Sequence, residues 1–286
     1  MSHVRERFRS VLARPTCTLA ANVFDPLSAR IAHMLEYEVC VLSGSVGKAA
    51  NLAVPDIVLS NMSDVVDHCR RITRIADVSL MVDAEDGFGN AVNVMRTVKE
   101  LEAVGVSAIE IEDNVVPRQF HVSHPGLVSK DEQVAKLKAA VAARTDPTTV
   151  IVARTSALAE CAHDEALERI RAYATTGAEA LMLVGMPRGR ADLEAVHQVT
   201  ALPLCVLNPP PEVRNDPHFL ATTGVRILMF GNPIFAIAVK AIYDSFKHLH
   251  DGGALEDLRD RQASQDLLRA VHRLEEYLQQ QQDYMP

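Results

Sequence analysis

Short, almost continuously apolar segments alternate along this chain with longer segments in which apolar residues recur every three or four positions. Unbroken apolar runs are typical of parallel strands buried on both faces, and the longer spacing is typical of amphipathic helices. The predicted helices include 91–105, 131–144, 164–177 and 232–249. The eight predicted strands are 18–23, 39–45, 79–85, 108–113, 149–155, 180–185, 203–208 and 226–232.

Strands that alternate with helices indicate either a closed barrel or an open, doubly wound sheet. The count of eight, together with the absence of a Gly-x-Gly-x-x-Gly turn after the first strand, favours a (β/α)8 barrel of the TIM type. The stretch Asp251-Gly252-Gly253 follows the last predicted barrel helix. We therefore predict a barrel domain over 1–250 and a C-terminal helical extension over 251–286.

Length, charge and cysteine content narrow the functional class. The 286 residues suit one barrel, since such barrels typically run to ~250 residues. A formal net charge of −8 without a Lys/Arg block predicts no nucleic-acid partner, and no apolar stretch is long enough for a membrane span. The five cysteines are scattered without a Cys-x-x-Cys pair, and the N-terminus lacks a signal-peptide layout. We expect a soluble cytoplasmic enzyme or binding protein.

Carboxylates stand at the ends of two consecutive predicted strands, at Asp83, Glu85 and Asp86 and then at Glu112. The active site of a (β/α)8 barrel lies at the C-terminal ends of its strands, so these side chains would share one mouth. Crowded carboxylates repel one another unless a cation neutralises them, and oxygen ligands favour Mg²⁺ or Mn²⁺. Helix capping or a loop salt bridge is an equal alternative for Asp83 and Glu85, and capping is favoured for Asp86.

Other polar residues also end predicted strands. Arg154 ends an apolar strand, where a buried guanidinium must pair with an anion. That anion is either a structural carboxylate such as Glu112 or a substrate carboxylate. The turn Ser43-Gly44-Ser45 either presents backbone N–H groups to an anion or is a plain turn.

Four motifs in order along the chain resemble the isocitrate lyase/phosphoenolpyruvate mutase superfamily. The segment 23–45 resembles the opening of that family, and 82–90 (VDAEDGFGN) resembles its D-x-D-x-G-x-G-N signature. The segments 108–117 and 151–157 resemble its I-E-D-x-x-x-P and I-A-R-T-[DN]-A motifs. The resemblance covers nearly the whole chain.

The resemblance implies a set of site residues and an assembly. It assigns metal binding to Asp83, Glu85 and Glu112, with Asp56 in an outer position. It assigns substrate binding to Gly44, Ser45, Arg154 and Asn232, of which Arg154 and Asn232 are also the predicted catalytic residues. It further implies a homotetramer in which the eighth helix is exchanged between barrels.

The loop after the fourth strand distinguishes between reactions in this family. The carbon–carbon lyases carry a K-K-C-G-H-like loop there, and the mutases a K-[TD]-[NT]-S-L-like loop, but residues 117–126 match neither and contain no cysteine. The closest resemblance is to the oxaloacetate decarboxylase branch, although Glu85-Asp86 replaces its usual Asp-His and Asn232 replaces its His. His121 or His124 in the loop could compensate, or be merely solvated.

We therefore expect Mg²⁺- or Mn²⁺-dependent decarboxylation of oxaloacetate, or a related β-keto acid, to pyruvate and CO₂ through an enolate. Loss of CO₂ needs no catalytic base, which agrees with a site that lacks a cysteine. The alternatives are a C–C lyase or phosphonopyruvate-type enzyme of the same superfamily, and a non-catalytic barrel that binds a keto acid.

Overall fold

The computed structural model describes residues 2–117, 120–122 and 126–285. Its strands form one all-parallel sheet that curves into a nearly closed barrel. The strands are β1 (Thr18–Leu19), β2 (Ala21–Asn22), β3 (Val39–Leu42), β4 (Ser79–Asp83), β5 (Ala108–Glu112), β6 (Val150–Thr155), β7 (Ala180–Leu183), β8 (Leu204–Leu207) and β9 (Val225–Met229). Each predicted strand is present, and the predicted (β/α)8 fold is confirmed.

The first barrel strand is split at Ala20 and pairs with a different neighbour on each side of the split. β1 pairs with β9, and β2 pairs with β3. The N–H of Ala20 donates to the carbonyl of Leu228 at 3.0 Å, so the ladder to β9 reaches the split itself. The two short strands β1 and β2 thus share one position in the ring. The nine strands therefore fill the eight strand positions of a (β/α)8 barrel.

Helices follow the strands and cover the outside of the ring, because their apolar faces bury against the sheet. Gly105 and Gly177 end two of these segments with positive φ angles of 88° and 91°, a conformation that glycine adopts without steric cost. The helices before residue 232 are α1 (Ser2–Ala13), α2 (Pro26–Met34), α3 (Gly44–Leu52), α4 (Met62–Thr73), α5 (Ala91–Ala103), α6 (Lys130–Ala143), α7 (Ala157–Glu160), α8 (His163–Ala174), α9 (Arg190–Val199), α10 (Pro211–Arg214) and α11 (Pro217–Thr222).

Helix α1 closes the end of the barrel at which the strands begin. Its Phe8 and Val11 are fully buried and belong to the same apolar cluster as the residues that fill the barrel interior. The Arg5 side chain donates to the carbonyls of Val106 and Glu102, just before β5. With this end closed, the C-terminal ends of the strands form the open mouth.

Residues 232–286 form a second compact unit, separate by its internal contacts from residues 1–231. It consists of α12 (Pro233–His250), a 3₁₀-helix (Leu255–Arg261), α13 (Gln265–His272) and α14 (Leu274–Tyr284). Helix α12 ends where the sequence predicted, but it buries none of its residues and exposes apolar side chains such as Ile242 and Phe246. Within the described residues, no helix is both long and apolar enough to cross a membrane. The predicted domain division at residue 250 stays a prediction.

Candidate active site

The predicted site residues of three neighbouring elements meet at the open mouth. In the sheet register, Asp83 at the end of β4 lies opposite Glu110 of β5, and Glu112 lies opposite Arg154 of β6. Because side chains two residues apart on a strand share a face, Glu110 and Glu112 both point toward Arg154. The carboxylates and the guanidinium therefore form one buried cluster.

Arg154 is the cationic centre of this cluster. It donates a short hydrogen bond to Asp83, and its Nη2 lies 3.2 Å from Glu112 Oε2. Its Nη1 lies 3.6 Å from Glu110 Oε2. Burial alone would lower the pKa of Arg154, but the surrounding carboxylates outweigh it and raise this pKa well above its usual value. In this structure Arg154 pairs with carboxylates of the protein, and its predicted substrate-binding role stays a prediction.

Glu110 was missing from the predicted site. It is 2% exposed and lies one pleat deeper in the barrel than Glu112. The alternation Glu110-Ile111-Glu112 was the signal that could have revealed it, because it places two carboxylates on the inner face of one strand.

Lys48 of α3 was also missing from the predicted site. Its ammonium donates a short hydrogen bond to Glu85 and lies 3.1 Å from Asp56 Oδ1. The lysine side chain is 3% exposed, whereas that of Asp56 is 66% exposed. Two of the predicted metal ligands thus share one cation, and no sequence signal linked this lysine to them.

Gly44 allows α3 to begin against the carboxylates. Its N–H donates to Asp83 Oδ2 at 3.1 Å. Substrate binding by Gly44 and Ser45 stays a prediction. A Cβ at this position would overlap Glu85 Oε1 and come within 3.0 Å of Asp83 Oδ2. A side chain at this position would therefore displace the Glu85 carboxylate and crowd that of Asp83. The neighbouring Ser45 is half-buried, with its Oγ 3.4 Å from Ser43 Oγ.

The cluster holds more carboxyl groups than cations. Burial, together with the charge of Asp83, raises the pKa of Glu85 to about 7, and burial raises that of Glu112 to about 8. Burial also raises the pKa of Glu110 to about 7. Asp83 is also desolvated by burial, but Arg154 and the hydrogen bonds it accepts outweigh this and lower its pKa. Negative charge at the mouth is thus only partly neutralised by Arg154 and Lys48.

These residues fit a small divalent cation. The side chains are hard oxygen donors, and the missing side chain of Gly44 lets two of them, Asp83 and Glu85, lie close to its backbone. In the part of the chain that the structure describes, no three His, Cys, Asp or Glu side chains stand together as a ready-made metal site. The partners of Asp83 and Glu85 explain this, since each carboxylate is turned toward a protein cation. Metal binding by Asp83, Glu85, Glu112 and Asp56 stays a prediction.

The capping role expected for Asp86 is wrong for the helix that follows. Asn90 caps α5, and its side chain accepts from the N–H groups of Val92 and Asn93. Asp86 instead accepts from the N–H of Phe88 at 2.9 Å and pairs with the buried Lys136 at 3.3 Å. A turn of glycines separates Asp86 from the helix, so its carboxylate is too early in the chain to serve as the cap.

Three further residues were named from the sequence, namely Asn232 and the loop histidines His121 and His124. Asn232 is the residue before α12 and the first residue of the second unit, and its catalytic role stays a prediction. His121 is exposed, and its ring centroid lies 3.9 Å from that of Phe120. His124 lies outside the described residues.

The family follows from comparison with known proteins. A model of the phosphoenolpyruvate phosphomutase family matches residues 8–250, which include every strand of the barrel. The chain belongs to this family. The resemblance inferred from the four motifs is thereby confirmed.

The chain is also similar to curated proteins that are named oxaloacetate decarboxylase. The enzyme of Bradyrhizobium diazoefficiens is 40% identical over 89% of this chain and 88% of its own length. That of Paraburkholderia xenovorans is 38% identical over 98% of this chain and 93% of its own length.

Solved structures of similar proteins have the same fold. A phosphonopyruvate hydrolase in complex with oxalate and Mg²⁺ has a TM-score of 0.87 and 27% identity, with 99% of both chains covered. An oxaloacetate acetylhydrolase in complex with 3,3-difluorooxalacetate has a TM-score of 0.85 and 26% identity, with 98% of this chain and 96% of that chain covered.

Proposed function

We propose that this chain is a divalent-metal-dependent oxaloacetate decarboxylase, which releases CO₂ and pyruvate. The observation that carries the proposal is the buried cluster of carboxylates around Arg154 at the barrel mouth, a site suited to a metal and an anionic keto acid. The choice of reaction is supported by the relatives named oxaloacetate decarboxylase, at 38–42% identity over 85–99% of this chain.

Asp83, Glu85 and Glu112 would hold Mg²⁺ or Mn²⁺, with Asp56 in an outer position. When bound, the ion supplies a Lewis acid that draws negative charge onto the C2 oxygen of the keto acid. A complex of a structural neighbour with oxalate and Mg²⁺ supports this pairing of metal and dicarboxylate.

Arg154 and the backbone near Ser45 supply the protein's part of the chemistry. As the C3–C4 bond of oxaloacetate breaks, its electron pair passes to C3 and the C2 oxygen, and CO₂ leaves. Fixed positive charge at the mouth stabilises the enolate that results, without reorganisation during the step. We propose that Asn232 also binds the substrate. Water returns a proton to C3, so the step needs no cysteine.

A panel assay tests the proposal. Metal-stripped protein would be incubated with Mg²⁺ and, separately, with oxaloacetate, 2-methylisocitrate, dimethylmalate or phosphonopyruvate, and the products followed by NMR. We expect CO₂ and pyruvate from oxaloacetate, loss of turnover with EDTA, and recovery with Mg²⁺ or Mn²⁺. Turnover in the presence of EDTA would contradict the metal assignment, and products from another substrate alone would contradict the choice of reaction.

The likeness to phosphonopyruvate hydrolase over 99% of both chains favours a second candidate, a phosphonopyruvate-type enzyme of the same family. The C–C lyases of the family are a further alternative within the same panel. A barrel that binds a keto acid without turnover would instead be stabilised against heat by oxalate and metal while forming no product.

We also propose a cytoplasmic homotetramer in which α12 is exchanged between barrels. The support is the helix itself, which buries none of its residues in the single chain although it carries Ile237, Ile242 and Phe246. Burial of exposed apolar surface is the main driving force for association, and a patch of this kind marks an interface.

A further inference from the structure

Lys48 lies in contact with Glu85, one of the predicted metal ligands. Its ammonium is bound between the Glu85 and Asp56 carboxylates, and its side chain is 3% exposed. It also lines a small cavity together with Gly44, His68 and Asp83. Lys48 and one predicted metal-binding residue, Asp83, thus border the same cavity.

Each of the two carboxylates nearest Gly44 already has a protein cation as its partner. Asp83 is bound to Arg154, and Glu85 is bound to Lys48. A divalent ion that arrives alone must detach Lys48 from Glu85, and it then places two like charges side by side in a buried site. Such repulsion is poorly screened where water is excluded. A dianionic keto acid that arrives with the metal removes this repulsion, because it supplies a partner for the released ammonium.

We propose that Lys48 couples the binding of metal and keto acid: it opposes a free divalent ion at Glu85, and after displacement it binds the substrate's anionic groups. The inference rests on the proposed metal-dependent reaction and adds a substrate-binding residue to it. Metal and keto acid then bind with positive cooperativity, and by thermodynamic linkage each raises the affinity of the other by the same factor.

Asp56 gives the displaced lysine a second partner. Its carboxylate lies 3.1 Å from Lys48 Nζ and is mostly in solvent, so it can keep the ammonium near the cavity after Glu85 has turned to the metal. His68 lines the same cavity but cannot replace this charge. Its Nε2 must donate to the Phe24 carbonyl at 2.9 Å, and burial lowers the pKa of its imidazole.

The test measures binding rather than turnover, with Mn²⁺ and oxalate as probes. The affinity for Mn²⁺ would be determined by electron paramagnetic resonance, with and without oxalate, and the oxalate affinity by calorimetry, with and without Mn²⁺. The coupling factor is the ratio by which oxalate raises the affinity for Mn²⁺. We expect Lys48→Met to raise the affinity for free Mn²⁺ about ten-fold and to lower this coupling factor about ten-fold. Lys48→Arg keeps the charge and is expected to keep most of the coupling.

Chelation of the metal by oxalate would also produce cooperativity, but that contribution does not depend on Lys48. Lys136→Met provides a matched control, because it removes another buried ammonium that pairs with Asp86 instead of a predicted ligand. Its coupling factor should equal that of the wild type. Lys48→Gln, which is polar and uncharged, serves if the Met variant does not fold.

Unchanged Mn²⁺ affinity and coupling in the Lys48→Met and Lys48→Gln variants would overturn the proposal, and so would weaker binding of free Mn²⁺. The measurement needs no reaction. If the wild type fails to decarboxylate oxaloacetate but its coupling depends on Lys48, the proposed function fails and this inference stands.

Discussion

At the scale of single residues, the carboxylate of Asp83 is held by donors from three parts of the barrel. Gly44 and Glu85 donate through their N–H groups at 3.1 Å and 3.0 Å, and Arg154 donates through its guanidinium. This arrangement fixes the carboxylate without burying it in the apolar core. It also leaves Arg154 with two other carboxylate partners if Asp83 is removed.

We therefore predict that Asp83→Ala lowers turnover more than about 100-fold and leaves the fold intact, because a predicted metal ligand is lost but Arg154 stays paired. Steady-state assays and thermal unfolding of the same preparation test this. Asp67→Ala is the control, since Asp67 forms an exposed ion pair with Arg70 and its removal should change neither quantity. An unfolded Asp83 variant, or one with wild-type rates, would make Asp83 a structural residue.

We predict that Cys161→Ala keeps kcat within a few-fold of the wild type, whereas Arg154→Ala costs about 3–4 kcal/mol of transition-state stabilisation. Cys161 lies shortly after the Arg154 strand, but its Sγ donates to the Ala157 carbonyl at 3.2 Å. Burial raises the pKa of its thiol, so it is a poor nucleophile. Comparison of kcat/KM for the two variants is the measurement. A cysteine variant as weak as the arginine variant would revive the lyase alternative.

Glu110 allows a prediction about pH. Burial raises its pKa in the folded protein to about 7, above the usual 4.5. For such a carboxyl the contribution to stability is greatest below the unfolded pKa and is lost as pH rises through the folded pKa. Glu110→Gln cannot ionise, so in metal-free protein its stability relative to the wild type should increase from about pH 5 to about pH 8. Urea unfolding at both pH values measures this, and an equal difference at both would contradict it.

The sequence revealed the carboxylates but not their partners. Asp83 and Glu112 could be placed because the ends of parallel strands meet at one mouth, which needs no knowledge of the helices. Lys48 lies on a helix, where its direction depends on how α3 packs. Its contact with Glu85, 37 residues away, is a tertiary fact that no local pattern records.

At the scale of elements, helix α3 contains a matched pair of glycines. A Cβ at Gly44 would overlap Glu85 Oε1, whereas a Cβ at Gly47 would meet Leu42 and His68 only at 3.7–3.9 Å, an ordinary contact distance. The two positions lie one turn apart in the same helix. Alanine substitutions at the two positions therefore distinguish the effect of a side chain in the site from the effect of a higher helix propensity.

We predict that Gly44→Ala lowers Mg²⁺ affinity and activity at least about ten-fold, because Glu85 must move away from its present position. Gly47→Ala should keep both and gain about 0.5–1 kcal/mol of stability from its better helix propensity. Calorimetric titration of Mg²⁺ and thermal unfolding provide the two readouts. Equal effects of the two substitutions would show that the space beside Gly44 does not matter to the site.

Most strands were predictable at this scale because they are buried along their whole length and read as apolar runs, as in β3, β4, β5 and β7. β1 and β2 are partly exposed. The predicted strand segments are longer than the observed strands at the mouth. For example, residues 39–45 were predicted as one strand, but β3 ends at Leu42 and α3 begins at Gly44. The split at Ala20 and the break between α13 and α14 at Arg273, which has a φ of 54°, were not predicted. The split at Ala20 depends on β9, which is distant in the sequence.

At the scale of the whole molecule, the apolar side chains of α12 predict an assembly. Ile242 and Phe246 lie one turn apart on the same face and are 57% and 69% exposed. We predict that Ile242→Asp with Phe246→Asp reduces the oligomer to a smaller species in light scattering, because burying these charges is costly. Ser245→Asp on the same helix should leave the mass unchanged. A wild-type monomer would contradict the predicted tetramer.

Because the ribosome synthesises the strands in sequence order, the split first strand affects when the barrel can close during folding. β1 and β2 are made early, yet β1 pairs with β9, the last strand of the ring. Until Val225–Met229 has emerged, β1 has no neighbour and the sheet keeps an unpaired edge. Ring closure is thus a late, long-range event, and such contacts form slowly. We infer that a nascent chain stopped before β9 would expose an edge open to misassembly, however complete its active-site motifs.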